Sequence, residues 1–196
     1  MSAVEFSTGY REPLRYETLA GKPVAMSPSP RINHGRAVGN IFKIFERHLK
    51  GRKCEAFFDG VDVHLTDQDT VIPDVLVVCN PDIVKQDAIY GPPDLIVEIL
   101  SPGTARYDRG YKKDLYERCG VREYWLVDTA NIQGGSIEIY ELIEGRYHLQ
   151  AMHHAYFAYE IEQMKPAEKE KLVHSFSPCI FPEMEFALAD VFENII

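Results

Sequence analysis

The chain has 196 residues, 45% of them hydrophobic, enough for one domain with a packed core, and it shows no linker that would set off a second. Its formal net charge of -9 argues against a non-specific nucleic-acid coat, which is usually basic, but not against a nuclease, whose metal-binding carboxylates are themselves acidic. Cys54, Cys79, Cys119 and Cys179 are far apart and form no CxxC pair, which argues against a zinc ribbon or thioredoxin-like site and reads as reduced core thiols.

The opening MSAVEFSTGYREP lacks the basic-then-apolar pattern of a signal peptide, and no apolar run is long enough to span a bilayer, so the expectation is a soluble cytoplasmic protein. RYETLAGKPVAMSPSP places two short apolar stretches around Gly21 and predicts a small hairpin closed by prolines. From Asn33 to Leu49 the apolar residues Val38, Ile41, Phe42, Phe45 and Leu49 recur at helical spacing, and Gly51 ends the helix. CEAFFDGVDVHLT alternates as a strand or bent strand pair, with Val61, Val63 and Leu65 on one face. VIPDVLVVCN and PDLIVEILS are apolar on both faces, as strands inside a covered sheet are.

Ala105 to Cys119 predicts a helix stopped by Gly120, and VREYWLVD a third buried strand. Strand, helix, strand in this order is a crossover unit with parallel strands. GGSIEIYELIEGRYHLQAM predicts a hairpin turning at Glu144-Gly145. The charged EIEQMKPAEKEKLVH reads as a solvated loop or hairpin arm, and SPCIFPEMEFALADVFENII closes the chain with a short helix packed on the sheet. The class is α/β with a mixed sheet.

Glu98 stands among Leu95, Ile96, Val97, Ile99 and Leu100, and a carboxylate in a sheet core costs several kcal/mol unless paired. Side chains alternate along a strand, so Asp94, Ile96, Glu98 and Leu100 share a face, as do Asp74, Leu76 and Val78 on the preceding strand. If those strands are neighbours, Asp74 and Glu98 converge, and a converging oxygen pair is what a hard divalent cation needs. On the helix, Asp108, Lys112, Tyr116 and Cys119 line up on an inward face, while Arg109, Lys113 and Glu117 form a charged face expected to look at water. Asp74, Glu98 and Lys112 then form one cluster. The bland alternatives are an ion pair of Glu98 with Lys112 or an arginine, turn chemistry at Asp74, a first-turn acid at Asp108, core roles for Tyr116 and Trp125, and a structural His34. His153 and His154 project to opposite sides of a strand and do not chelate together.

IPDVLVV, PDLIVEILSPGT, YDRGYKKDLYERCGVREYWLVD and IEIYELIEGRY resemble the Uma family of restriction endonucleases, a branch of the PD-(D/E)XK nuclease superfamily. The resemblance implies one restriction-endonuclease-like domain over 1–196, a mixed sheet flanked by helices, with extra antiparallel hairpins. It implies a metal-dependent endonuclease acting on nucleic acid, DNA foremost, with Mg²⁺ or Mn²⁺ as cofactor. Asp74 corresponds to the acid of the PD step and Glu98 to the D/E position. The superfamily's lysine falls two residues after that acid, where this chain has Leu100; Lys112 on the adjacent helix takes its place, as in branches where the lysine has moved. By this reading Asp74, Glu98 and the backbone carbonyl of Ile99 hold the metal. Lys112 and Asp108 complete the catalytic set, and His34 touches a phosphate. A homodimer would let two sites cut both strands. Two other classes stay open: a non-catalytic binding protein that keeps the cluster for stability, and a metal-dependent hydrolase of another phosphate or ester with an enclosed pocket.

Overall fold

A computed structural model describes residues 15–26, 31–58, 60–130 and 135–195. The opening stretch and the prolines expected to close the first hairpin, Pro28 and Pro30, lie outside the described residues. β1 (Tyr16–Leu19) and β2 (Lys22–Ala25) pair antiparallel around Ala20-Gly21. Both turn residues have positive φ, 51° and 73°, the two-residue turn whose twist matches the strands.

Helix α1 (Ile32–Leu49) follows, with Ala37, Val38, Ile41, Ile44, Phe45 and Leu49 buried on one stripe. Then come β3 (Glu55–Phe58), β4 (Val63–Thr66), β5 (Asp69–Val71), β6 (Val75–Val78), β7 (Ile89–Tyr90) and β8 (Leu95–Ile99). A helical run leads to β9 (Glu123–Asp128), β10 (Ser136–Ile143) and β11 (Arg146–His154). The chain closes with α4 (Ala158–Gln163), α5 (Pro166–Lys169), the pair β12 (Ser175–Phe176) and β13 (Phe186–Ala187), and α6 (Leu188–Val191).

The central sheet has six strands in the order β11-β10-β9-β8-β6-β3. β8 and β9 are parallel, as expected of a crossover unit; the other pairs are antiparallel. Alternation splits the strand residues between two cores. Val75, Val77, Leu95, Val97, Ile99, Trp125 and Val127 face α1 and the closing segment from Phe176 to Ile195. Leu76, Val78, Ile96, Leu100, Tyr124 and Leu126 face the crossover helix and a second sheet, ordered β2-β1-β5-β4-β7. Glu98 belongs to this second face.

Three expectations are corrected. CEAFFDGVDVHLT is not one strand pair. β3 joins the six-stranded sheet and β4 the five-stranded one, with Gly60 at φ 100° between them. The charged EIEQMKPAEKEKLVH stretch is neither loop nor hairpin arm but holds the short helices α4 and α5. Glu160 and Glu168 reach back to accept the N–H groups of Phe157 and Lys165, both at 2.8 Å, and Pro166 opens the second helix. Finally, Cys54 and Cys79 form a disulfide, because the β3–β6 register that pairs Glu55 with Val78 sets them opposite one another; Cys119 and Cys179 are free.

Gly135 leads into β10 at φ 133°, and a Cβ there would fall on the Phe192 ring in the first core. Gly135→Ala therefore combines backbone strain with overpacking and should cost about 2–4 kcal/mol, read by urea unfolding. A loss below a few tenths of a kcal/mol would contradict this packing.

Candidate active site

The register Val75↔Val97 of the antiparallel pair β6–β8, carried one residue further, sets Asp74 across from Glu98 on one face. Asp74 is fixed at the start of its strand: Oδ2 accepts the Ile99 N–H at 2.6 Å, and Oδ1 lies 3.2 Å from Nε2 of His34 in the first turn of α1. The two carboxylates expected to converge thus do so, and His34 joins them.

The crossover run consists of α2 (Ala105–Tyr107), a π turn (Asp108–Lys112) and α3 (Lys113–Cys119), ended by Gly120 in the left-handed region. The wide turn interrupts the regular helix at the residues that carry the charges, a placement frequent at functional sites. Asp108, Lys112, Leu115 and Tyr116 are all buried. The Lys112 ammonium lies 2.7 Å from Glu17 Oε1, 3.0 Å from Glu98 Oε1 and 3.5 Å from Asp108 Oδ1. The Tyr116 hydroxyl donates to Glu98 Oε1 at 2.7 Å, so this core ring also carries a polar contact at the site. The Tyr124 hydroxyl donates to the Asp108 carbonyl at 3.0 Å.

Glu17 was absent from the expected set. It sits on β1, 5% exposed, and its Oε1 also accepts the Ile72 N–H at 2.9 Å. The available signal was its alternation with Leu19, which puts an acid on the apolar face of the hairpin. Lys112 lies inward as expected, and the charged face of the helix looks at water only in part: Arg109 is exposed, while Lys113 and Glu117 are half-buried. This face packs on the β10–β11 hairpin. Arg109 pairs with Glu138, Lys113 lies over the Tyr140 ring, and Glu117 accepts from Arg146 and the Tyr147 N–H.

Three carboxylates share one ammonium, with Asp74 nearby. Burial holds the Glu98 carboxyl well above the ordinary glutamate range; Lys112 opposes this, while Asp108, Asp74 and Glu17 add to it. Burial likewise raises Asp108. For Lys112 burial acts to lower the pKa, but Glu98, Glu17 and Asp108 outweigh it and hold the ammonium above the ordinary lysine value. Glu17→Gln keeps an acceptor for Ile72 and removes one like charge, so Glu98 should titrate at lower pH in a carboxyl NMR titration. An unmoved Glu98 would show that the two charges do not couple.

This donor set fits a divalent cation. Its negative charge exceeds what its own lysine neutralises, and its oxygens are hard. Among the described residues no group of three His, Cys, Asp or Glu side chains has a metal-holding arrangement. Asp74 and Glu98 are the two carboxylates that the β6–β8 register sets side by side, and Mg²⁺ commonly takes one or two beside water and phosphate. The two best-defined cavities lie elsewhere, one of about 330 Å³ between His154 and Ile195 and one of about 200 Å³ near Phe57 and Ile89. Neither is lined by Asp74, Glu98, Asp108 or Lys112. No helix among the described residues is long and apolar enough to cross a membrane.

A solved structure has the same architecture: a putative nuclease belonging to DUF820 from Anabaena variabilis ATCC 29413, with a TM-score of 0.65 and 18% sequence identity, covering 92% of this chain and 91% of that one. The fold is the restriction-endonuclease-like arrangement expected from the sequence, a mixed sheet flanked by helices. The protein slr1290 of Synechocystis sp. (strain ATCC 27184 / PCC 6803 / Kazusa), described as uncharacterized, is 31% identical over 125 residues. That match takes in 63% of this chain and spans 65% of the relative's length. The model of the Uma2 family, described as "Putative restriction endonuclease", matches residues 4–158, and the chain belongs to that family.

Proposed function

We propose that this protein is a metal-dependent endonuclease that hydrolyses phosphodiester bonds of DNA in the cytoplasm, with Mg²⁺ or Mn²⁺ as cofactor. The observation that carries the reading is the convergence of Asp74 and Glu98 across β6 and β8, beside a buried lysine outnumbered by carboxylates. Asp74, Glu98 and the backbone carbonyl of Ile99 would hold the metal. When bound, the cation supplies Lewis-acid activation of water and charge neutralisation at the scissile phosphate.

The remaining work falls to side chains. The Ile99 N–H and His34 orient Asp74. Tyr116 and Lys112 orient Glu98 through Oε1. Lys112 is held as an ammonium, so it acts as a hydrogen-bond donor to the attacking water or the developing phosphate charge rather than as a base. Asp108 and Glu17 keep that ammonium aimed and charged. His34, in the first turn of α1, would meet a phosphate as well.

One observation favours a second reading, a binding protein that keeps the cluster for stability: Glu98 Oε1 is already engaged by both Lys112 and Tyr116. The experiment is supercoiled-plasmid cleavage in Mg²⁺, Mn²⁺ or EDTA by the wild type and Asp74→Asn, with Mn²⁺ calorimetry alongside. Nicking that needs metal and Asp74 supports the endonuclease. Absence of both cleavage and Mn²⁺ binding overturns it in favour of the binding protein.

A further inference from the structure

The charge of this acidic chain is unevenly laid out. Between Arg31 and Lys53 stand seven arginines and lysines and a single acid, Glu46, whereas the whole chain has 21 basic and 30 acidic residues. Most of this segment is α1. Its apolar stripe is buried against the central sheet, so the helix faces solvent with its polar side. There Lys43, Arg47 and Lys50 recur at four- and three-residue steps, share one face and are exposed. Among the described residues none of the three is in an ion pair. Seven residues before Lys43, Arg36 continues the row, half-buried, its guanidinium donating to the Asn194 carbonyl at 2.6 Å. Arg52, just past the helix, is paired with Glu183.

We propose that this outward face of α1 is the surface that carries the phosphate backbone of duplex DNA to the candidate site. The proposal rests on the nuclease reading for its choice of duplex. Three observations select this partner. The helix that bears the row begins at the site, since His34 in its first turn, on the opposite and inward side, lies 3.2 Å from Asp74. Its length fits: from Arg36 to Lys50 the helix rises about 21 Å, the span of roughly six base pairs. Its composition fits phosphate better than protein or membrane. Protein interfaces are depleted in lysine and built around buried apolar anchors. A membrane-surface helix inserts an apolar face, and the apolar face of α1 is already buried in the core.

The test is anisotropy of a labelled duplex of about 30 base pairs in EDTA, titrated from about 50 to 200 mM salt. The proteins are wild type, the triple variant Lys43→Gln, Arg47→Gln, Lys50→Gln, and a control with equal charge loss on the exposed α5 region, Lys165→Gln, Lys169→Gln, Lys171→Gln. Each removed phosphate contact lowers the slope of log affinity against log salt by about 0.9, so the α1 variant should lose between about 2 and 3 units of slope and the control none. An α1 variant with the wild-type slope, equal losses in the control, or no duplex binding by the wild type overturns the proposal. Plasmid cleavage in Mg²⁺ by the same proteins separates the two ideas. Slope loss in a protein that never cuts retains the surface and removes the nuclease; cutting with an unchanged slope does the reverse.

Discussion

Glu98→Gln should abolish metal-dependent cleavage while the protein stays folded. The glutamine amide has the shape of the carboxylate, and its oxygen can still accept from Lys112 and Tyr116, which are 3.0 and 2.7 Å from Oε1. What disappears is one buried negative charge of the three around a single ammonium. The fold loses no volume and sheds a charge whose burial was unfavourable, so the melting temperature should stay within a few degrees of wild type or rise. The proposed metal loses one of its two side-chain ligands. Loss of a group that acts on transition-state charge costs about 10²–10³-fold, and cleavage should fall by at least that much. The measurement is the initial rate of plasmid nicking in Mg²⁺ beside a thermal melt. A folded variant that nicks at the wild-type rate would falsify the assignment of Glu98.

Lys112→Met should have the largest effect on stability. Methionine fills much the same volume but leaves Glu17, Glu98 and Asp108, all buried, without their shared cation. Removing one partner of a buried charge set costs about 3–5 kcal/mol because the other charges remain desolvated. The pH dependence follows from the sign of the shifts. Glu98 and Asp108 have folded-state pKa values above their ordinary ones, so the folded state binds more protons than the unfolded chain between those limits. Stability therefore rises as pH falls through the raised values, and the gain is complete below the ordinary carboxylate range. Without Lys112 the raised values move higher still, and the gain in acid grows. The deficit against wild type should thus be greatest near pH 7 and shrink toward about pH 4. Urea unfolding at both pH values tests this; a deficit that widens in acid would mean that the lysine does not compensate these carboxylates. Because the variant also lacks the proposed donor to water and phosphate, cleavage should fall by about 10²-fold or more even where it is folded.

Much of this architecture was legible in short-range pattern. Helical spacing from Val38 to Leu49 and two-sided apolarity in the strands before and after Asp94 are local properties of the chain, and each produced the element expected. The four-residue step from Asp108 to Lys112 to Tyr116 put the lysine on the inward face even though a π turn replaces regular helix there. Alternation alone put Glu98 on the face that Asp74 shares, because a side chain's face in a strand depends only on its parity.

Long-range register decided the rest. Glu17 reaches Lys112 because β1 packs, through the five-stranded sheet, over the second face of the central one, and nothing near Glu17 in sequence announces a lysine 95 positions on. Cys54 meets Cys79 through antiparallel pairing of β3 with β6, a contact that residue spacing does not encode. The Arg109, Lys113 and Glu117 face looked solvent-exposed because it is charged, yet the β10–β11 hairpin brought Glu138, Tyr140 and Arg146 to meet it. By itself, then, the sequence determined the inward faces of α1, β6 and β8 and the inward side of Lys112, since periodicity is a property of neighbours along the chain. Only the tertiary structure decided how many carboxylates share the one buried lysine, since a charge set is completed by whichever distant strand the packing delivers.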